Sequence, residues 1–317
     1  MKESFEDLYE NLVNNTTSDL NIAWEKAKKE KKSVSIFSIV LAIIVDIILL
    51  YKLKSLFSND VITILPFLLF IFMLDFVIYF ILFIIFSKHQ RNFRLAFKTN
   101  IIGKLINNFY DNVIYMPQKQ MPSTFYKKAK YKEYYNRYYS DDYMEGYITK
   151  KYPIKMAEVK TIHETTTRDS NGHTRTHKTT IFHGLFTKMV ISKSINSVLL
   201  IRTNGNIPSK TKLEMDSQEF EKHFDVSATN QIIGMQLLTH DIMELLLSFK
   251  KDSGIKFDIS IYKNVIYLRF HTAEMFELKS LKKGAFDKEL LQKYYNVLNF
   301  TYTLSMMLID LINKTEI

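Results

Sequence analysis

Two apolar runs close together near the start of the chain, Val34 to Tyr51 and Val61 to Phe86, constrain it more than any other feature. The first holds 18 residues; as a helix rising about 1.5 Å per residue it extends ~27 Å and just spans the hydrocarbon of a bilayer. The second holds 26, enough to cross with tilt, and Pro66 marks a bend near its outer end. The basic cluster Lys26 to Lys32 comes late for a secretory signal and no small-residue cleavage site follows the first run, so that run is expected to stay attached.

Orientation follows from the cations, which are retained on the cytoplasmic side of short loops. Lys26, Lys28, Lys29, Lys31 and Lys32 precede the first run, and Lys88, Arg91, Arg94 and Lys98 follow the second, while the connecting loop carries Lys52 and Lys54 against Asp60. The pattern predicts a multi-pass protein of the cell (plasma) membrane with both termini cytoplasmic and the lipid bilayer as its first partner. Each run contains one acid, Asp46 and Asp75. A carboxylate in lipid is costly enough to count as a functional hypothesis. Counted from Pro66, the two depths agree to within about 5 Å, which leaves open a shared proton or cation as well as a protonated carboxyl bonded to a neighbouring helix. Two spans form a pore only by oligomerising.

Outside these runs the chain reads as soluble protein, rich in Lys, Tyr and Asn. It has no cysteine, which excludes disulfides, thiolate zinc sites, iron–sulfur clusters and cysteine nucleophiles. The net charge of +10 fits membrane apposition and solvated surface; no nucleic acid is expected as a partner. Four regions are expected: cytosolic amphipathic helices over 1–32, a transmembrane helical hairpin over 33–87 (34–51 and 61–86), juxtamembrane and Tyr/Lys-rich helices over 88–142, and a cytosolic α+β domain with antiparallel hairpins over 143–317.

Phe5, Leu8, Tyr9, Leu12 and Val13 form one helical stripe, which the polar stretch Asn14 to Ser18 is expected to break before a second helix capped by Asp19. Phe93, Phe97, Ile101, Leu105 and Phe109 form another, flanked by Arg94, Lys98 and Lys104, and predict a juxtamembrane helix with lipid-facing cations. Between residues 123 and 143, Tyr126, Tyr131, Tyr134, Tyr135, Tyr138 and Tyr139 alternate with lysines and Arg137. Such a segment can stack bases or grip phosphates; a helix burying its tyrosines beneath wet lysines is the favoured reading.

From Tyr143 to Thr203 the sequence turns to strand formers, and Asn171-Gly172 signals a hairpin. With Ser170 and His173 flanking a two-residue turn, His163 faces Thr180 and His177 faces Thr166. The pleat then separates His163 from His173 and His177, so these histidines with His183 predict no zinc site, and no other metal or cofactor is expected. The hairpin is expected to protrude, with Arg168, Arg175 and Lys178 as a contact for an anionic or protein partner. Further on, strands are predicted at Thr187 to Ser192 and Ser197 to Thr203, a helix capped by Asp216, a helix over Thr239 to Lys251 ended by Gly254, a hairpin of Lys256 to Tyr262 with Val265 to His271, and a long helix from Phe286 to Ile312 that packs on the domain or pairs with a second copy.

The segments DDYMEGYITKKYPIKMAEVKT (Asp141 to Thr161), TTIFHGLFTKMVIS (Thr179 to Ser192) and MDSQEFEKHFDVSATNQIIGMQLLTHDIMELLLSF (Met215 to Phe249) resemble a bacterial membrane-protein family, domain-of-unknown-function family 3137. The F-x-G-L-F turn falls at Phe182 to Phe186, E-F-E-K-x-F-x-V at Glu219 to Val226, and L-L-T at Leu237 to Thr239. The resemblance implies two N-terminal spans before a cytosolic α+β domain, and it carries no catalytic residue. Gly146 and Gly184 are expected to permit tight backbone, and Phe182, Phe186, Phe220 and Phe224 to fill a core.

The chain has no Gly-rich phosphate loop, no G-x-S-x-G and no H-E-x-x-H. The expectation is therefore a membrane-anchored protein-binding or scaffold module, a homo-oligomer where its last helix pairs with a second copy, and not an enzyme. The alternatives are a subunit of an ion- or proton-conducting assembly using Asp46 and Asp75, or an enzyme drawing on His183, His223, His240, Asp225 or Glu145.

Overall fold

The computed structural model describes residues 2–53, 73–81, 84, 90–168, 173–203, 205, 207–278 and 285–314. The chain divides into two compact units, one of residues 1–10, 102–277 and 288–317, the other of residues 11–101 and 278–287.

The first unit is built on one seven-stranded antiparallel sheet. In chain order its elements are α1 (Phe5–Leu53, of which the first turns belong here), α2 (Gly103–Asn107), β1 (Asp111–Met116), α3 (Ser123–Lys128), β2 (Arg137–Ile148), β3 (Tyr152–Arg168), β4 (Thr174–Thr203), β5 (Lys212–Leu213), α4 (Gln218–Glu221), β6 (Phe224–Ala228), α5 (Gln231–Leu237), α6 (His240–Ser253), β7 (Phe257–Phe270) and α7 (Lys288–Lys314). The path runs β1-β2-β3-β4-β6-β5, with β7 also pairing β4. The expected α+β class with a large antiparallel sheet is what the chain adopts.

β4 organises the sheet. At 30 residues it pairs with β3 through its first half, with β6 near its end and with β7 from Leu185 to Arg202. The two strands predicted within it are one, because the polar stretch near Ser194 is absorbed by a bulge opposite Lys263. The hairpin predicted around Lys263-Asn264 is likewise one continuous strand, β7: Lys263 takes a left-handed φ of 54° at the bulge and the chain does not reverse.

One face of the sheet is covered by helices. Phe249 of α6 stacks on Phe300 of α7 at 3.9 Å, and both rings meet Phe257 and Phe270 of β7. α7 thus packs on the domain, burying Leu291, Tyr294, Val297, Leu298, Thr301, Leu304 and Leu308 as its period predicts. α6 ends at Gly254, φ 65°, as expected. α4 is capped by Ser217, whose hydroxyl accepts from Phe220 N at 3.2 Å, and not by Asp216. Phe5 meets Tyr295 and Glu6 pairs with Lys288 at 2.7 Å, tying the first residues to α7.

The other face is covered by the tyrosine-rich segment. It is not a long helix: α3 spans six residues, residues 129–136 are irregular and β2 begins at Arg137. Lys130 and Lys132 take left-handed φ values of 62° and 54°, so the chain turns Tyr131 inward between two outward lysines. Each such residue costs on the order of 1 kcal/mol. Tyr126, Tyr131, Phe182, Phe186, Tyr143 and Tyr267 form the core there. The F-x-G-L-F residues, expected as a turn, lie within β4; Gly184, φ 154°, comes so close to β7 that an added Cβ would sit 1.9 Å from Phe270 O, which is why the position needs glycine. Phe182, Phe186, Phe220 and Phe224 are all buried, as the resemblance implied.

In the second unit α1 runs without interruption through the polar stretch expected to break it. Asn and Thr only weaken a helix, and the Asn15 amide donates to Asn11 Oδ1 one turn earlier. Phe93, Phe97 and Ile101 are buried in protein, as are Leu105 and Phe109 in the first unit; of the flanking cations expected to face lipid, Arg94 and Lys104 are exposed and Lys98 is buried. Among the described residues no single helix is long and apolar enough to cross a membrane; α5 and α6 pass that test only as a pair bent by 67°. The second apolar run lies largely outside the described residues.

Candidate functional site

The densest charge lies beneath the tyrosine-rich segment. Arg269 of β7 is fully buried. Its guanidinium donates from Nε to Asp258 Oδ2 at 2.6 Å, and to both oxygens of Glu133 at 2.5 and 2.6 Å. It also reaches Tyr126 Oη at 2.7 Å and lies 4.0 Å over the Tyr131 ring. Arg202 joins at Glu133 Oε1, 2.9 Å, and His271 stands 3.4 Å from Asp258. Burial alone would raise the Asp258 carboxyl, but the His271 hydrogen bond and the charges of Arg269 and Arg202 outweigh it and hold it at about 2.

Asp258 and Arg269 are eleven residues apart on one strand, an odd interval that would place them on opposite faces. The bulge at Lys263 reverses the alternation and brings them together. Sequence reading missed this cluster because a period-2 pattern carries no mark of the reversal. Its groups are mutually paired and under aromatic cover, so it fastens the segment carrying Glu133 to the sheet.

A second acidic group, Asp141, Asp142 and Glu158, brings one oxygen of each within 4.8 Å of the others. Asp142 Oδ1 accepts from Tyr115 Oη at 2.6 Å and Glu158 Oε2 accepts from Met275 N at 3.0 Å. His183 Nε2 is 3.3 Å from Glu158 Oε1. Burial first, and the charge of Lys160 second, lower the His183 pKa from its ordinary value, which favours the neutral ring beside that carboxylate. These contacts engage one oxygen of Asp142 and both oxygens of Glu158 within the protein. Of the other groups weighed for catalysis, Glu145 pairs with Lys155 at 3.0 Å, His223 with Glu219 at 3.8 Å and Asp225 with Lys212 at 3.9 Å, each in a different part of the sheet or its rim.

The most exposed feature is the ribbon formed by the ends of β3 and β4. β2 leaves β3 at Ile162, and β7 joins β4 only at Leu185. Beyond those points the two strands pair only with each other, to Arg168 opposite Thr174, and residues 165–168 and 173–180 are exposed on both faces. The register differs by one residue from a two-residue turn: five residues separate the last pair, so His163 faces Thr179 and His177 faces Thr165. A one-residue slip flips every side chain. His163 and His177 therefore share a face, contrary to the expected separation, and His163 instead meets the Tyr134 ring edge-on at 4.9 Å. The same register places Arg168 and Lys178 on one face and Arg175 on the other, with Lys178 3.7 Å from Glu164. The turn itself, residues 169–172, lies outside the described residues.

Asp46 and Asp75 occupy the less exposed positions of their helices, and each has a carboxylate oxygen shielded from solvent with no hydrogen-bond partner among the described residues.

The family described as "Protein of unknown function (DUF3137)" matches residues 180–308, in agreement with the motifs from Phe182 to Thr239. No curated protein matches. A solved structure, the crystal structure of the mycobacterial trehalose monomycolate transport factor A, TtfA, aligns at 10% identity and a TM-score of 0.29, over 59% of this chain and 88% of that one; a likeness so slight carries no argument about fold or role.

Proposed function

We propose that the chain is a membrane-anchored binding module, held in the bilayer by the runs 34–51 and 61–86 with both termini cytosolic, whose β3–β4 ribbon docks a protein partner. The ribbon carries this reading. An isolated two-stranded hairpin is marginally stable in water, and this one continues beyond every neighbouring strand with threonines and cations on both faces. It adds nothing to the core. Support for the anchor comes from the described parts of the apolar runs, where Ile39 and Ile47 are 60% and 61% exposed and Met73 and Phe76 67% and 63% exposed. Contiguous apolar exposure of that kind marks a membrane or protein interface.

The test is capture of partners from native membranes by the full-length protein and by a version in which residues 165–177 are replaced by an Asn-Gly turn. A protein enriched by full length and lost on trimming supports the reading; equal enrichment by both overturns the ribbon's role. The single carboxylate in each apolar run, Asp46 and Asp75, favours a second reading, a conducting assembly of several copies. Proton or cation flux in liposomes that disappears in Asp46→Asn would support it, and flux unchanged by that substitution would remove it.

A further inference from the structure

We propose that the sheet face around Lys188 is a binding site for a phosphate group, carried either by a free anion or by a lipid headgroup. Lys188 of β4 and Lys155 of β3 are direct cross-strand partners, and like charges so placed repel at a Cβ separation of about 5 Å. Lys128, at the end of α3, adds a third charge at Lys188, and Lys119 stands 5.0 Å over the Tyr143 ring nearby. Against these four cations the carboxylate in contact among the described residues is Glu145, already bound to Lys155 at 3.0 Å and to Tyr143 Oη at 2.9 Å.

Lys188 is the unbalanced member. Among the described residues it makes no ion pair; its ammonium rests 4.1 Å over Phe125, which also lies 5.7 Å from Lys155. Burial first, then the charges of Lys155 and Lys128, push its pKa below the ordinary lysine value, so a bound anion would relieve a repulsion that the folded chain sustains. Lys155, by contrast, is raised above its ordinary value, because bonds to Tyr143 and Glu145 outweigh burial.

The arrangement selects the anion. The charges converge around one cross-strand pair and are not spread along a groove, which suits a compact multivalent group better than an extended acidic chain. Lysine ammonium groups serve phosphate as point charges. The aromatic flanks, Phe125 and Tyr143, exclude water from one side and strengthen the attraction. This site is independent of the ribbon, on which Lys178 is already close to Glu164.

The full chain, reconstituted in phosphatidylcholine nanodiscs, is titrated calorimetrically with inorganic phosphate, with a short-chain soluble phosphatidic acid and with short-chain phosphatidylcholine. Binding of phosphate or phosphatidic acid, but not phosphatidylcholine, is expected. It should weaken by about tenfold or more in K188M, as loss of one charge-assisted contact implies, persist in K188R and stay unchanged in K178M. Binding of phosphate and phosphatidic acid alike assigns the site to the phosphate group itself, and binding of phosphatidic acid alone assigns it to a headgroup. No binding of either, or unaltered binding by a folded K188M, overturns the proposal.

Discussion

The same two strands behave in opposite ways along their length. From Ile154 to Thr161, β3 pairs with β2 on one edge and β4 on the other, and Ala157, Val159 and Thr161 are fully buried beneath aromatic layers. From Thr165 onward it pairs with β4 alone and every side chain is exposed. The β3–β4 pairing resumes beyond a bulge between Thr161 and Ile162, so a loss of pairing does not explain the change; what changes is the presence of covering layers. Composition follows, from Ala, Val, Phe and Leu inside to Thr, His and Arg outside. The body is shaped by burial, whereas the ribbon is extra strand that burial does not require, and its reason is best sought in what it touches.

That contrast can be broken first in the body. Arg269→Met removes the cation between Glu133 and Asp258 and leaves two carboxylates under cover, which costs about 3–5 kcal/mol; denaturant unfolding of the full chain in detergent reads it, with concurrent exposure of Tyr131 as a fluorescence change. Phe300→Ala, on the opposite face, opens a cavity among Phe249, Phe257 and Phe270 and costs about 3–5 kcal/mol. A smaller effect is expected from pH. His183 has a lowered pKa, so the unfolded chain takes up its proton first, and stability falls as pH drops below the ordinary histidine value of 6.5. Asp258, at about 2, contributes stability above the ordinary 3.8 that is lost as pH falls through 2. Thermal melts should show the first slope flattened in His183→Gln and the acid limb altered in Asp258→Asn. On the ribbon, Thr176→Ala should change stability by no more than about 0.5 kcal/mol; a larger loss would mean the ribbon is folded into the body after all.

How much of this was legible depended on whether the pattern stayed regular. α6 and α7 were readable from apolar periodicity, and α6 from its Gly254 stop, because nothing interrupts the period. The need for glycine at residue 184 was readable because only glycine tolerates the approach of Phe270 O, but the expected F-x-G-L-F turn is a stretch of strand inside β4. The register of the ribbon was not, since a bulge between Thr161 and Ile162 shifts it by one residue from the pairing that holds in the body, and one residue inverts which histidines share a face. The Arg269 cluster was hidden for a related reason. A bulge at Lys263 puts residues of opposite parity on one face, and Glu133 arrives from a segment whose tyrosines resembled a helix stripe. The anionic-partner trio, Arg168, Arg175 and Lys178, was found by charge alone, and the strand alternation then divides it between two faces.

The chain contains no cysteine, so a single introduced one reports one place. Thr176→Cys on the ribbon and Lys251→Cys on α6, each labelled with a photoreactive maleimide and irradiated in native membranes, compare the two regions directly. The account predicts a protein adduct from position 176 and none from position 251. No adduct from 176, or equal adducts from both, would contradict the ribbon as the docking surface.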